Sequence, residues 1–163
     1  MRKEGSRKQP AFTLLEMIAV LVLLGLISTI AMISVIGHLE QTELGRVSQL
    51  LANADRKERD ATRHSPFPGA MTVDRSKKRV QFLSSGRTID FGKTVNIAEL
   101  IVNGYSSADG TISFTQSGQS PTYAIRLESR RGAICWVLVI GMTGQVLFTD
   151  STEDVRSLLA MGR

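Results

Sequence analysis

A single carboxylate stands at the start of the most apolar part of the chain. Residues 10–24 read PAFTLLEMIAVLVLL, and Glu16 precedes a run from Met17 to Leu39 that contains no Asp, Glu, Lys or Arg. An ionised carboxylate inside a membrane costs a few kcal/mol, so such residues usually have a partner or a function. Because no cation lies one helical turn further along, the partner of Glu16 must come from elsewhere.

The first eleven residues are basic, and the segment that follows them is too long for an ordinary secretory signal. Such a signal has an apolar stretch of about 7–15 residues and a small-residue cleavage site after it. Here the apolar stretch is longer and no such site follows it. We therefore predict a membrane-spanning helix at residues 12–37, with its basic side in the cytoplasm and the rest of the chain on the far side.

The sequence RKQPA followed by FTLLEMIAVLVLLGLI resembles the class III signal of type IV pilins and type II secretion pseudopilins. The resemblance implies that a prepilin peptidase removes residues 1–11 by cutting between Ala11 and Phe12. It also implies methylation of the new amine of Phe12, and it makes Glu16 the fifth mature residue. The family usually has Gly before the cut, but alanine is small enough that we expect processing to survive.

Removal of this leader would give Glu16 a cation to pair with. The new amine of Phe12 is positively charged, and opposite charges attract strongly in a medium of low dielectric constant. We expect Glu16 to pair with the amine of a neighbouring subunit as the helices stagger during assembly. The alternative is a carboxylate that reaches the headgroups from the start of the helix.

The fold class predicted from the remaining pattern is α+β, with one long N-terminal helix and a β-rich head at residues 65–163. The helix continues as an amphipathic half at residues 38–64, because apolar residues follow helical spacing there and form a stripe along one face. The stripe consists of Val47, Leu50, Leu51 and Ala54, and Leu39 and Leu44 extend it upstream. Two prolines and a glycine in SPFPG end it. Alternating patterns predict strands at Ala70–Asp74, Arg79–Leu83, Thr88–Phe91, Thr111–Thr115, Tyr123–Glu128, Ala133–Ile140 and Gln145–Phe148. Asn96–Val102 is ambiguous between strand and helix, and Ser151 with Asp154 predicts the start of a short helix that ends at Met161.

A long helix with a strand-rich head is also what the pilin family shows, and the head resembles the H-type minor pseudopilins of type II secretion. The related fimbrial T-type minor pilins share this pattern. Its elements here are TISFTQSGQS, two strands and a final TGQV hairpin. The residues that carry the match are Ile112, Phe114, Gly118, Ser120, Gly144 and Val146. Gly118 and Gly144 also stand where the chain must turn, which by itself favours glycine.

A basic stretch between residues 56 and 79 raises the question of nucleic-acid binding. The formal net charge is +5, of which the first eleven residues contribute +3. The stretch is diluted by acidic residues, so we interpret it as a solvated helix end and a charged loop. Binding of nucleic acid or acidic lipid is the alternative. The basic residues concerned are Arg56, Lys57, Arg59, Arg63, Arg75, Lys77, Lys78 and Arg79.

Other residues able to do chemistry have simpler explanations. Cys135 is the only cysteine and lies in the apolar sequence AICWVLVIG, which favours a small buried side chain over an intermolecular bridge. His38 and His64 have no partner at metal-ligand spacing. The acidic cluster Asp150, Glu153 and Asp154 fits helix capping better than calcium binding. No nucleophile or phosphate-binding motif is present, so we predict neither enzyme activity nor a cofactor.

These observations together predict a structural, assembling protein. The favoured interpretation is a minor pseudopilin of a type II secretion system, held in the inner membrane with its head in the periplasm. Its partners would be other pilin-like subunits and the prepilin peptidase and methyltransferase. The alternatives are a minor type IV pilin that acts in pilus assembly or DNA uptake, and a simple single-span anchored domain.

Overall fold

A computed structural model of the chain describes residues 14–107 and 110–161, with the backbone alone at residues 31, 33–39 and 161. The described chain divides into two compact units, with the boundary between His38 and Leu39. The predicted α+β class is confirmed, whereas the predicted domain boundaries remain predictions. The elements are α1 (Leu14–Arg63), β1 (Gly69–Asp74), β2 (Arg79–Phe82), β3 (Thr88–Asp90), β4 (Val95–Val102), β5 (Tyr105–Ser107), β6 (Gly110–Phe114), β7 (Tyr123–Ser129), β8 (Ile134–Val139), β9 (Val146–Thr149) and α2 (Thr152–Met161).

In the first unit, α1 exposes apolar side chains on every side. All residues from Leu14 to Ile30 are exposed, and so is Met32. Two of its hydroxyl groups bond back to the helix: Ser28 donates to the carbonyl of Leu24 at 2.8 Å, and Thr29 donates to that of Gly25 at 2.9 Å. A helix that is apolar all round is typical of a buried or membrane-embedded element.

The structure does not confirm the predicted membrane span at residues 12–37. Among the described residues, no helix combines the length and the apolar character that a membrane crossing needs.

In the second unit, one face of α1 packs into the core of the head. Leu44, Val47, Leu51 and Ala54 are buried there, as their helical spacing predicts. The prediction that Leu50 belongs to this stripe is wrong, because its side chain is 41% exposed. The core-facing arc runs along residues 44, 47, 51 and 54, and position 50 falls on its margin.

Two antiparallel sheets complete this core. Their strand orders are β3-β2-β1-β6 and β5-β4-β7-β8-β9. One cluster of buried side chains joins α1 to both sheets. A second cluster lies on the other face of the five-stranded sheet, where Val155 and Leu159 of α2 cover Trp136 and Leu138. Strand β8 is therefore covered on both faces, which explains its uninterrupted apolar sequence.

The predicted strands are confirmed to within one residue at each end, and α1 ends at Arg63 just before SPFPG. The ambiguous segment is a strand, β4, that carries a bulge between Ile97 and Glu99. The short edge strand β5 was not predicted.

At α2 the predicted N-cap is present, since the Asp154 amide donates to the Ser151 hydroxyl at 3.2 Å.

Candidate functional site: the N-terminal motif and the charged core of the head

The candidate assembly residue, Glu16, lies in the first turn of α1. It is exposed, and so are the neighbouring side chains of Leu14, Leu15, Met17 and Ile18. A carboxylate in the first turn of a helix is favoured by the positive end of the helix dipole. This arrangement presents one acidic group amid apolar surface. The predicted cleavage residues, Ala11 and Phe12, lie outside the described residues.

Sequence reasoning missed a set of buried charges on the second half of α1. Asp55 and Glu58 have no exposed surface, and Arg59 is 4% exposed. Glu58 accepts hydrogen bonds from the amides of Ser84 and Ser85 at 2.7 and 2.8 Å, so it holds the turn between β2 and β3 against the helix. Buried charges persist only when they are paired or hydrogen-bonded. Their spacing could have revealed them, because they continue the arc of Leu44 and Leu51 by helical steps.

Arg59 is the centre of this network. Its Nε donates to Asp55 Oδ2 at 2.7 Å, forming a buried ion pair. Its guanidinium also lies over the ring of Phe114, 5.2 Å from the centroid. Three further bonds reach two loops: to the carbonyls of Gly118 and Gly141 at 2.9 and 2.8 Å, and to the Ser120 hydroxyl at 2.8 Å. One side chain thus ties α1 to the loop after β6 and to the turn after β8.

The glycines around Arg59 lie where an added side chain would meet a close neighbour. A Cβ at Gly144 would lie 3.1 Å from Cδ of Arg59, and one at Gly118 would lie 2.6 Å from Nε of Arg63. A Cβ at Gly141 would collide with the backbone carbonyl of Ser120. Four of the residues that carry the resemblance of the head to minor pseudopilins therefore contact or flank Arg59. They are Phe114, Gly118, Ser120 and Gly144. Their local role does not depend on that subtype, which is not confirmed.

Tyr123 completes the network from strand β7. Its hydroxyl donates to Asp55 Oδ1 at 2.6 Å in a fully buried position. Burial raises the pKa of Tyr123 well above its usual value of 10, and the negative charge of Asp55 raises it further. The folded head therefore holds the neutral phenol.

We expect this buried phenol to make the head less stable in alkali. Below about pH 10 the tyrosine is protonated in both folded and unfolded chains, and stability does not depend on it. Above about pH 10 the unfolded chain loses the proton first, so the free energy of unfolding falls by up to about 1.4 kcal/mol per pH unit. The measurement is unfolding against pH for the native chain and Tyr123→Phe. Tyr105→Phe, at the exposed second tyrosine, is the control, and equal alkaline slopes in all three proteins would contradict the expectation.

The basic stretch is largely engaged in contacts of the head. The interpretation of Arg59 as part of a solvated helix end is wrong, because it is buried in an ion pair. Arg75 donates to the carbonyls of Ile97 and Ala98. The remaining ion pairs are Arg63 with Asp60 at 3.5 Å, Lys77 with Asp74 at 3.4 Å and Arg79 with Asp90 at 2.8 Å. No continuous row of unpaired cations forms along residues 56–79, all of which are described.

The other chemically capable residues are placed as follows. Cys135 is partly buried against the main core, and the Ser48 hydroxyl approaches its sulfur at 3.2 Å. The exposed His64 has its Nδ1 2.7 Å from the carbonyl of Asp60, whereas the side chain of His38 lies outside the description. Within residues 14–107 and 110–161, no group of three His, Cys, Asp or Glu side chains could hold a metal ion.

Comparison with known proteins finds a match at the N-terminal motif. Residues 6–32 match the family model described as a prokaryotic N-terminal methylation motif. The matched segment includes the predicted cleavage junction and Glu16, and it supports a type IV pilin-like protein or pseudopilin. No curated protein and no solved structure matches the chain significantly.

Proposed function

We propose that the chain is a minor pseudopilin, a structural subunit of the short periplasmic pseudopilus of a type II protein secretion system. A prepilin peptidase and methyltransferase removes residues 1–11 and methylates Phe12. Residues 12–37 hold the protein in the inner membrane and then pack among the helices of other pilin-like subunits. The head, in the periplasm, decorates or caps the filament, and the protein performs no catalysis.

The observation that carries this proposal is the first half of α1. Its apolar side chains are exposed on every side from Leu14 to Ile30, and the only charge among them is Glu16. At about 25 cal/mol per Å² of apolar surface, leaving such a helix in water is strongly unfavourable. Lipid before assembly and neighbouring helices after assembly both cover it, and the methylation motif lies on the same segment.

The alternatives differ in what the head and Glu16 do. A minor type IV pilin would use the same processing and packing in a different filament. A DNA-uptake pilin would need free cations on the head, and the burial of Arg59 and the pairing of Arg79 with Asp90 weaken that alternative. A simple membrane anchor has no use for Glu16. Neighbouring genes would separate secretion from pilus roles.

Leader removal tests the processing step that the pseudopilin proposal requires. With an active prepilin peptidase, intact-mass measurement of membrane-purified protein should show a chain that begins at Phe12 and carries one added methyl group. Ala11→Gly, which restores the usual residue of the family, should be processed as well or faster. Cells without the peptidase should yield the full chain of 163 residues. An uncut chain in the presence of active peptidase would overturn the proposal.

A further inference from the structure

A group of exposed basic side chains lies at one end of the five-stranded sheet. Arg130 and Arg131 occupy the turn between β7 and β8, and Lys93 stands in the loop before β4. All three are exposed. We call them the basic turn, and neither the motif at the N-terminus nor the charged core of the head uses them.

Hydrogen bonds fix the basic turn to its neighbours. Arg130 Nε donates to the carbonyl of Lys93 at 3.0 Å, which joins the two loops. The Ser129 hydroxyl donates to Glu40 Oε2 at 3.3 Å, and Arg131 Nε lies 3.6 Å from Glu40 Oε1. The basic turn is therefore held beside Glu40 of α1, within the second unit.

Glu40 marks a defined point along the helix. It is the first charged residue after the charge-free run from Met17 to Leu39. Roughly 26 helical residues from Leu14 to Leu39 rise by about 39 Å. A bilayer with its headgroups is about 40–45 Å thick. In the membrane-anchored subunit of the proposed function, on which this inference rests, Glu40 reaches the outer headgroups.

The charges of the basic turn suit an anionic surface. Glu40 offsets one of its three cations through the contact with Arg131. Glu128, two residues before Arg130, lies 3.6 Å from Arg126, which offsets its negative charge. Arg guanidinium groups bind phosphate oxygens through two parallel hydrogen bonds. Basic residues close to an anionic leaflet are attracted to it within about one Debye length.

We propose that the basic turn contacts the phosphates of anionic phospholipids and so holds the head against the periplasmic leaflet before assembly. Arg130 and Lys93 make this contact, while Arg131 is positioned through Glu40. Extraction of the subunit into a filament would have to break the contact, which makes lipid charge a control on assembly. The competing partner for this surface is the head of a neighbouring subunit.

The test places a fluorophore beside the basic turn in the full-length chain. The chain with Cys135→Ala is labelled at Thr94→Cys, an exposed position next to Lys93 that leaves all three cations in place. The matched control is Met142→Cys, which is 77% exposed in the turn at the opposite end of β8. Each protein is placed in nanodiscs of phosphatidylcholine alone or with phosphatidylglycerol, and quenching by a headgroup nitroxide lipid is measured.

We expect several-fold stronger quenching at position 94 than at position 142, and only in discs that contain phosphatidylglycerol. Arg130→Gln with Lys93→Gln should reduce the quenching at position 94 to the control level. Arg87→Gln, at an exposed arginine of the other sheet, should leave it unchanged. Equal quenching at the two positions, or quenching independent of phosphatidylglycerol, would overturn the inference.

Flotation of the same proteins with vesicles separates this inference from the proposed function. A chain that floats but shows no quenching at position 94 remains membrane-anchored, and the basic turn then has no lipid role. Crosslinking from position 94 to a second subunit without quenching would assign the surface to subunit packing. A chain that fails to float in any lipid would overturn both proposals.

Discussion

Arg59→Met should destabilise the head by about 3–5 kcal/mol, the range for removing one partner of a buried ion pair. The change leaves Asp55, which has no exposed surface, with Tyr123 as its remaining hydrogen-bond partner among those described above. It also leaves the carbonyls of Gly118 and Gly141 without the donors that Arg59 supplied. The stem of methionine fills part of the space, so the loss comes mainly from charge and hydrogen bonding.

Urea unfolding of the full chain in detergent, followed by tryptophan fluorescence, measures this loss. Trp136 is the only tryptophan and is fully buried beneath α2, so its signal reports on the head. Arg56→Met on the exposed side of the same helix is the matched control and should change stability by less than about 0.5 kcal/mol. A difference below about 1 kcal/mol between the two variants would show that the network contributes little.

A double variant tests whether the effect comes from the stranded charge. Asp55→Asn keeps an acceptor for Tyr123 but removes the negative charge, so it should relieve part of the cost of Arg59→Met. The two changes should therefore be coupled by about 0.5–3 kcal/mol in a double-mutant cycle. Strict additivity would mean that lost packing and the lost bonds to the carbonyls of Gly118 and Gly141, rather than the charge of Asp55, explain the single variant.

The elements that sequence could predict are those whose pattern is local. Strands β7 and β8 alternate or are wholly apolar, and Gly144, with φ of 71°, stands in the turn between β8 and β9. The end of α1 follows from the two prolines after Arg63. Each of these signals lies within a few residues of the element it predicts.

Strand β4 shows why a local pattern can mislead. Ile97 and Leu100 both face the main core although they are three residues apart, which is a helical spacing. The bulge between Ile97 and Glu99 inserts one residue, so that Leu100 again faces the main core. A bulge depends on how the neighbouring strand β7 pairs, so the segment alone could not separate strand from helix.

The charged core of the head was missed for a different reason. Asp, Glu and Arg are seldom fully buried, and the stretch that contains Asp55, Glu58 and Arg59 was therefore interpreted as a solvated helix end. Their partners, such as Ser84 and Gly118, lie far along the chain and become neighbours only when both sheets form. The N-terminal motif, by contrast, is contiguous, so the sequence alone predicts it, and the family model matches residues 6–32.

Glu16→Ala should abolish incorporation into filaments while leaving membrane insertion and leader removal largely intact. A neutral residue lowers the cost of burying the helix by about 2–3 kcal/mol on insertion scales. Assembly should fail because the amine of the neighbouring Phe12 would enter a medium of low dielectric constant without its anion. Glu16→Gln should fail in the same way, since it keeps size and hydrogen bonding but loses the charge.

Crosslinking between this subunit and its filament partners, measured together with secretion or piliation, tests the role of Glu16. Glu43→Gln is the matched control, because Glu43 lies on the same helix and pairs with the exposed Arg46 at 2.6 Å. Such a surface pair contributes about 0–1 kcal/mol, so its loss should leave assembly unchanged. If both Glu16 variants crosslink as the native chain does, Glu16 only reaches the headgroups. In that case the all-apolar surface from Leu14 to Ile30 is enough for packing among the other subunits, and assembly does not depend on the charge of Glu16.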